Sequence, residues 1–184
     1  MASNPHNQPS RSPEAAQPLV TAVIPVYNHE RYVEESLRSM IAQTYENIEL
    51  IVINDGSKDG SHEKVLGLVG ACQQRFRRFE YRNRENRGLT NTLNEALEWA
   101  QGEYFTALAS DDIALPQKVI VLVDALERAG REYAAAFGDA LFIDEHGEPL
   151  FLDEEPKLTK VAPGKTQATF LEVYAKPRRQ SPST

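Results

Sequence analysis

From Leu19 onward, short β-branched and aliphatic runs alternate with longer stretches whose apolar residues recur every three or four positions. The run LVTAVIPVYN predicts a strand from Leu19 that ends near Val26. In ERYVEESLRSMIAQ, residues Val33, Leu37, Met40 and Ile41 share one face, which predicts a helix. IELIVINDGS, Ile48 to Ser57, is almost continuously apolar and closes on Asp-Gly. Such a run suits a strand covered on both faces, as in a parallel sheet. SHEKVLGLVGACQQRF follows, with Val65, Val69, Cys72 and Phe76 at helical spacing. RFEYR predicts a third strand, Arg78 to Arg82. GLTNTLNEALEWAQG carries Leu89, Leu93, Leu97 and Ala100 on one stripe, with Gly102 as the expected C-cap. EYFTALA predicts a fourth strand. Pro116 opens a helix at a position where proline is tolerated. Its expected buried face is Val119, Leu122, Leu126 and Ala129, and Gly130 closes it. YAAAFG reads as a fifth strand, ALFIDEHGEPLFL as strand, turn and strand, and TQATFLEVYA as a short helix.

This alternation means helices packed on a mostly parallel sheet, an α/β fold. Ligands of such folds bind outside the carboxyl ends of the strands, where the strand order reverses. Residues 1–18, rich in Pro, Ser, Asn and Gln, read as a disordered tail without the apolar core of a signal peptide. Residues 177–184 read as a second tail, leaving 19–176 as one expected domain. No run approaches the ~20 apolar residues of a membrane span.

The 184 residues suffice for a domain with a real core, and the net charge of −7 argues against a duplex-binding face. No nucleic-acid partner is therefore expected, although a nucleotide held through a metal stays compatible. The single cysteine, Cys72, excludes an internal disulfide and reads as a small core residue.

Polar clusters follow three predicted strands: Tyr27-Asn28, Asn54-Asp55-Gly56-Ser57 and Ser110-Asp111-Asp112. All three should lie along one sheet edge. Asp111 and Asp112 are either a solvated turn or a hard-cation site, and their placement favours the cation. Mg²⁺ or Mn²⁺ takes oxygen ligands, often one or two carboxylates plus substrate phosphates. Asp55 is either part of an Asp-Gly turn or an acceptor for a base or ribose. Arg84 reads as surface charge pairing with Glu85. Arg87, just before Gly88, is either surface charge of the same kind or opens a helix whose amino end favours phosphate. Tyr27 either stacks on a base or packs, and His29 reads as incidental. No paired His or Cys supports zinc. The glycine patterns of dinucleotide-binding folds and P-loops are absent.

Together VIPVYN, IELIVINDGSKDGS, NRGLTNTLNEALEWAQGEYFTALASDD and LPQKV resemble glycosyltransferase family 2. The resemblance implies the GT-A fold, Rossmann-like, with helices on both faces of the sheet. It also implies a nucleotide-diphosphate sugar donor, a saccharide or lipid-linked acceptor, and Mn²⁺ or Mg²⁺. By resemblance, Pro25, Tyr27 and Glu30 match the first nucleotide-contacting segment. Asp55 matches the base-contacting acid, with Ser57 near it. Arg87 and Gly88 match the loop by the ribose and diphosphate, and Asn94 the recurrent helix asparagine. Asp111 matches the metal-binding carboxylate, with Asp112 beside it.

Two positions depart from the family pattern. The first acid of the family's acidic motif is Ala109 here, and Leu93 stands where many members carry arginine. The family's acceptor side lies beyond the donor half, so the chain reads as C-terminally short. Asp139, after the fifth predicted strand, is the candidate for an acceptor-side role. The expected activity is metal-dependent, inverting sugar transfer; the alternative is a nucleotide-sugar-binding module without a base. The expected location is cytoplasmic, or peripheral at the inner membrane face where the acceptor is lipid-linked.

Overall fold

The structure, a computed structural model, describes residues 17–130, 133–138, 140, 141 and 143. The chain forms two compact units, Met1–Leu115 and Pro116–Thr184. The first carries β1 (Val20–Val26), α1 (Val33–Ile41), β2 (Ile48–Asp55), α2 (Ser61–Leu66), α3 (Val69–Arg75), β3 (Arg78–Arg84), α4 (Leu89–Trp99) and β4 (Tyr104–Ala107). The second carries α5 (Lys118–Ala129). Asp139, the strand-turn-strand after it, the last helix and the end of the expected 19–176 domain lie wholly or largely outside the described residues.

The described strands form one parallel sheet in the order β3-β2-β1-β4. The chain steps outward from β1 to β3, then returns to place β4 on the other side of β1. The order therefore reverses between β1 and β4, at whose carboxyl ends a ligand crevice belongs. Every residue of β2 is buried, as expected for a strand covered on both faces. On one face Val23, Ile51 and Ile53 pack with Ala96 of α4, flanked by Leu93 and Trp99. The alternate residues Ala22, Ile24, Leu50 and Val52 are also buried and point the other way.

Pro25 sits inside β1 without losing a ladder bond. Leu108 donates its amide to the Val23 carbonyl at 2.9 Å, so positions 23 and 25 both face β4. The pairing with β4 ends at Val23↔Ala107. The position where proline lacks an N–H is thus one that no strand reaches.

Buried aliphatics contribute roughly 1.5–3 kcal/mol each. An unpaired buried carboxylate would cancel a few of them. Glu49, buried on β2, escapes this because four donors surround it. Thr21 Oγ1 donates to Oε1, the Gln101 and Gly102 amides donate at 2.6 and 3.2 Å, and Arg78 Nη1 donates to Oε2 at 3.0 Å. Gly102 is required there, since a Cβ would lie 2.5 Å from the Thr21 nitrogen. It makes this close approach instead of capping α4, whose C-cap is Ala100.

Other elements also depart from the periodicity. The helix predicted over 61–76 is two, because Gly67 and Leu68 form a tighter turn in which the Leu68 amide bonds the Val65 carbonyl. The stripe predicted to bury on α4 is only partly covered: Leu93 and Ala100 are half-buried, and the two other leucines are turned outward. Leu89 and Leu97 are 61% and 56% exposed, whereas Thr92 and Ala96 are buried. Small residues let α4 sit close to the sheet, and Arg84 fixes its rotation through Thr92 Oγ1 and Glu95. The helix predicted from Pro116 begins at Lys118, and Gly130 closes it at φ 89° as expected. Residues 133–138, predicted as a fifth strand, form no strand. Most of them are exposed and three are alanine, a weak strand former.

Burial pushes the Glu49 carboxyl up, but the bonds from Thr21, Gln101 and Arg78 outweigh it and hold it below its ordinary 4.5. A depressed carboxyl contributes stability above its unfolded pKa, lost as pH falls through the folded one. Glu49→Gln should cost about 3–5 kcal/mol at neutral pH, as when one member of a buried pair is removed. Urea titrations should show that difference constant above about pH 4.5 and shrinking below it.

Candidate functional site

The exits of β1 and β2 are zipped together by alternating bonds. Asn28, at φ 55°, donates its amide to Ser57 Oγ at 2.9 Å, and Lys58 donates back to Asn28 Oδ1 at 2.7 Å. One step on, the His29 amide donates to Ser61 Oγ at 2.9 Å and the Glu30 amide to Asp59 Oδ2 at 3.0 Å. Gly60 closes the zipper on Glu30 Oε2 at 2.6 Å. Asn54, buried, binds Ser57 and donates to Asn83 Oδ1 at 3.0 Å. Glu30 and Ser57 therefore hold loops here, and Tyr27 projects beside them 48% exposed.

Asp55 ends β2 opposite Arg84 of β3 and is only 4% exposed. Its Oδ1 accepts the Arg87 amide at 2.8 Å and its Oδ2 the Gly88 amide at 2.9 Å, while Arg84 Nη1 also donates to Oδ1. Burial pushes the carboxyl up. The Arg87 amide, Arg84 and the Gly88 amide outweigh that and hold it below its ordinary 3.8. Arg84 is a largely covered hub, its side chain 11% exposed, instead of surface charge. It also reaches Glu95 at 2.8 Å, Thr92 Oγ1 at 2.9 Å and the Glu85 carbonyl at 2.9 Å. Gly56, at φ 74°, lets the loop close over Asp55, since a Cβ there would lie 2.5 Å from the Asn86 nitrogen. The loop leaves the Arg87 side chain exposed at the amino end of α4. Asn94 is exposed on α4, and Leu93 is half-buried.

The β4 exit is set by a polar stripe on α1. Ser36 Oγ donates to the Ala109 carbonyl at 3.1 Å, and the Ala114 amide donates to Ser39 Oγ at 3.0 Å. Gln43 Nε2 donates to the Leu115 carbonyl at 2.8 Å. Ser36 and Ser39 of α1, with Gln43 just past its end, thus hold both ends of the loop that carries Asp111 and Asp112. Both acids are exposed, while Ser110 before them is 1% exposed. His29 Nδ1 lies 2.7 Å from Ser110 Oγ and 3.7 Å from Asp111 Oδ1. The imidazole read as incidental links the β1 exit to the acidic loop.

The three polar clusters do converge on the carboxyl edge of the sheet. Asp55 faces inward, and Asp111 and Asp112 face solvent. Among the described residues no group of three or more His, Cys, Asp or Glu is placed to hold a metal. Two exposed carboxylates fit a hard dication that completes its shell with ligand phosphates and water, and do not fit an all-protein cage.

A family model described as glycosyl transferase family 2 matches residues 21–170. An uncharacterized glycosyltransferase of Rickettsia conorii is 41% identical over 133 residues, 72% of this chain and 21% of its own length. An uncharacterized glycosyltransferase of Haemophilus influenzae is 39% identical over 126 residues, 68% of this chain and 38% of its own. The chain thus spans well under half the length of either relative. A solved mannosyltransferase of Pyrobaculum calidifontis, in complex with GDP-Man and Mn²⁺, superposes with a TM-score of 0.51 at 27% identity. The match covers 57% of this chain and 30% of that one.

Asp55→Asn keeps the size of the side chain and removes the charge that gathers the loop. Hydrogen bonds to charged groups contribute about 1.5–3 kcal/mol, so exchange of the Arg87 and Gly88 amides should quicken roughly 10–100-fold. In the unaltered chain their protection should persist as pH falls toward 3.8 and fade only below it, since the carboxyl is depressed. Amide exchange followed by NMR measures both.

Proposed function

The chain belongs to glycosyl transferase family 2, and on that premise we propose that it moves a sugar from a nucleotide-diphosphate sugar to an acceptor hydroxyl, with a divalent cation and with inversion. The observation that carries this reading is the exposed Asp111–Asp112 pair, set where the strand order reverses, beside the exit that bears Tyr27. The Pyrobaculum mannosyltransferase complex with GDP-Man and Mn²⁺ supports the same ligand classes here.

Each exit has its part in the proposed chemistry. Tyr27 offers a half-exposed ring on which a base can stack. Asp55 holds the Arg87–Gly88 segment, so that the Arg87 guanidinium stands at the amino end of α4 with planar donors for phosphate oxygens. Asp111, with Asp112 beside it, would hold Mn²⁺ or Mg²⁺. The cation, when bound, neutralises charge on the departing nucleoside diphosphate. The acceptor oxygen bonds to the anomeric carbon as the bond to the diphosphate breaks, and a carboxylate must take the hydroxyl proton. Inversion rests on the family resemblance, and Asp139, the acceptor-side candidate, lies outside the described residues. The acceptor is a saccharide or a lipid-linked acceptor, met in the cytoplasm or at the inner membrane face. No helix among the described residues is long and apolar enough to cross a membrane.

Calorimetric titration with UDP, GDP and dTDP, each with and without Mn²⁺, tests the donor side. At least one nucleotide should bind in a Mn²⁺-dependent way. Asp111→Ala should weaken it by more than the roughly 10–100-fold typical of losing an outer-shell partner. Metal-independent binding that survives the substitution would overturn the assignment. Turnover with a supplied acceptor then separates transfer from donor holding.

A further inference from the structure

The His29 side chain crosses the reversal point, from the β1 exit to the β4 exit, and touches the acidic motif. Its surroundings fix it from several sides. Its main-chain amide donates to Ser61 Oγ at 2.9 Å, which anchors the residue to the start of α2. Its ring meets Tyr32 edge-on, with centroids 6.3 Å apart and planes at 80°. Its Nδ1 shares a hydrogen bond of 2.7 Å with Ser110 Oγ, the donor being set by the ring tautomer. The same nitrogen lies 3.7 Å from Asp111 Oδ1. Ser110 is buried, so without His29 its hydroxyl would lose this partner.

We infer that His29 is a positioning residue: through Ser110 it sets where the Asp111 carboxylate stands, and so how tightly the acidic pair takes a divalent cation. The inference rests on the reading of Asp111 and Asp112 as cation-holding groups, and adds a residue to it. The physical reason is geometric. The acidic loop hangs from α1 through Ala109 and Ala114, and a turn bond from the Asp112 amide to the Ala109 carbonyl at 3.1 Å holds the main chain but not the Asp111 carboxylate. Between those two points, the contact with His29 ties Ser110 to a strand exit zipped to β2. Outer partners of this kind restrict the swing of a carboxylate before the metal arrives.

The test is Mn²⁺ uptake by the full chain, read from the electron paramagnetic resonance of free and bound Mn²⁺ with GDP or UDP present. His29→Ala should bind Mn²⁺ roughly 10–100-fold more weakly, the range for loss of an outer-shell partner. His29→Asn, whose amide can reach the place of Nδ1, should restore most of the affinity, which a purely space-filling role would not require. Ser110→Ala removes the same bond from the other side and should reproduce the loss. The double variant should be no weaker than either single one, since both remove one interaction. Should His29→Ala fail to fold, Ser110→Ala carries the test. Unaltered affinity in a folded His29→Ala or in Ser110→Ala overturns the inference, as does a His29→Asn as weak as His29→Ala. If the unaltered chain takes up no Mn²⁺ with either nucleotide, the cation reading falls and this inference with it. If it binds while the variants match it, only the role of His29 falls.

Discussion

The Asp55 carboxylate accepts two main-chain amides and a guanidinium inside the protein, and the shape of the sheet's carboxyl edge follows from that cluster. Removing such a group from water is costly, and each donor offsets part of the cost. The Arg87–Gly88 segment is drawn down onto β2 as a result. Arg84 cannot leave without stranding a buried charge, and its remaining donors reach Thr92 and Glu95 of α4. One carboxylate thereby sets a loop, the rotation of a helix and the station of an exposed arginine.

The other end of β2 repeats the device. Glu49 lies across from Arg78 as Asp55 lies across from Arg84. Six residues apart on an extended strand, the two carboxylates point to the same face. Asp55 takes amides from just before α4, and Glu49 takes amides from just after it. Between them Ile51 and Ile53 meet Ala96. The helix is fastened at both ends by charge-assisted bonds and in the middle by apolar packing. Its outward leucines are therefore free to stay exposed without loosening it.

Patterns that depend on local periodicity were legible in the chain. The β-branched runs marked β1 and β2 to within a residue or two, and the polar clusters after β1, β2 and β4 marked the edge where they converge. What the sequence hid depends on partners distant along the chain. Leu89, Leu93 and Leu97 look like a buried stripe, but the largely covered Arg84 turns the helix so that Thr92 and Ala96 face the sheet, Leu93 flanks them, and Leu89 and Leu97 stay outside. Arg84 beside Glu85 looks like a solvated pair, and only the β2–β3 register reveals Asp55 as its partner. Ser36, Ser39 and Gln43 gave one faint signal, polar side chains spaced to share a face of a helix. His29 gave none, since Ser110 and Asp111 lie more than eighty residues away.

Pro25 has a consequence for the crevice between β1 and β4. Had β4 continued past Ala107, its next ladder bond on that side would call for a donor at position 25, and proline offers none. Further zippering toward the mouth is therefore one donor short, while Leu108 already bonds the Val23 carbonyl. The imino acid works as a built-in stop: it withholds the donor that would carry the pairing one step further, whether or not anything is bound there.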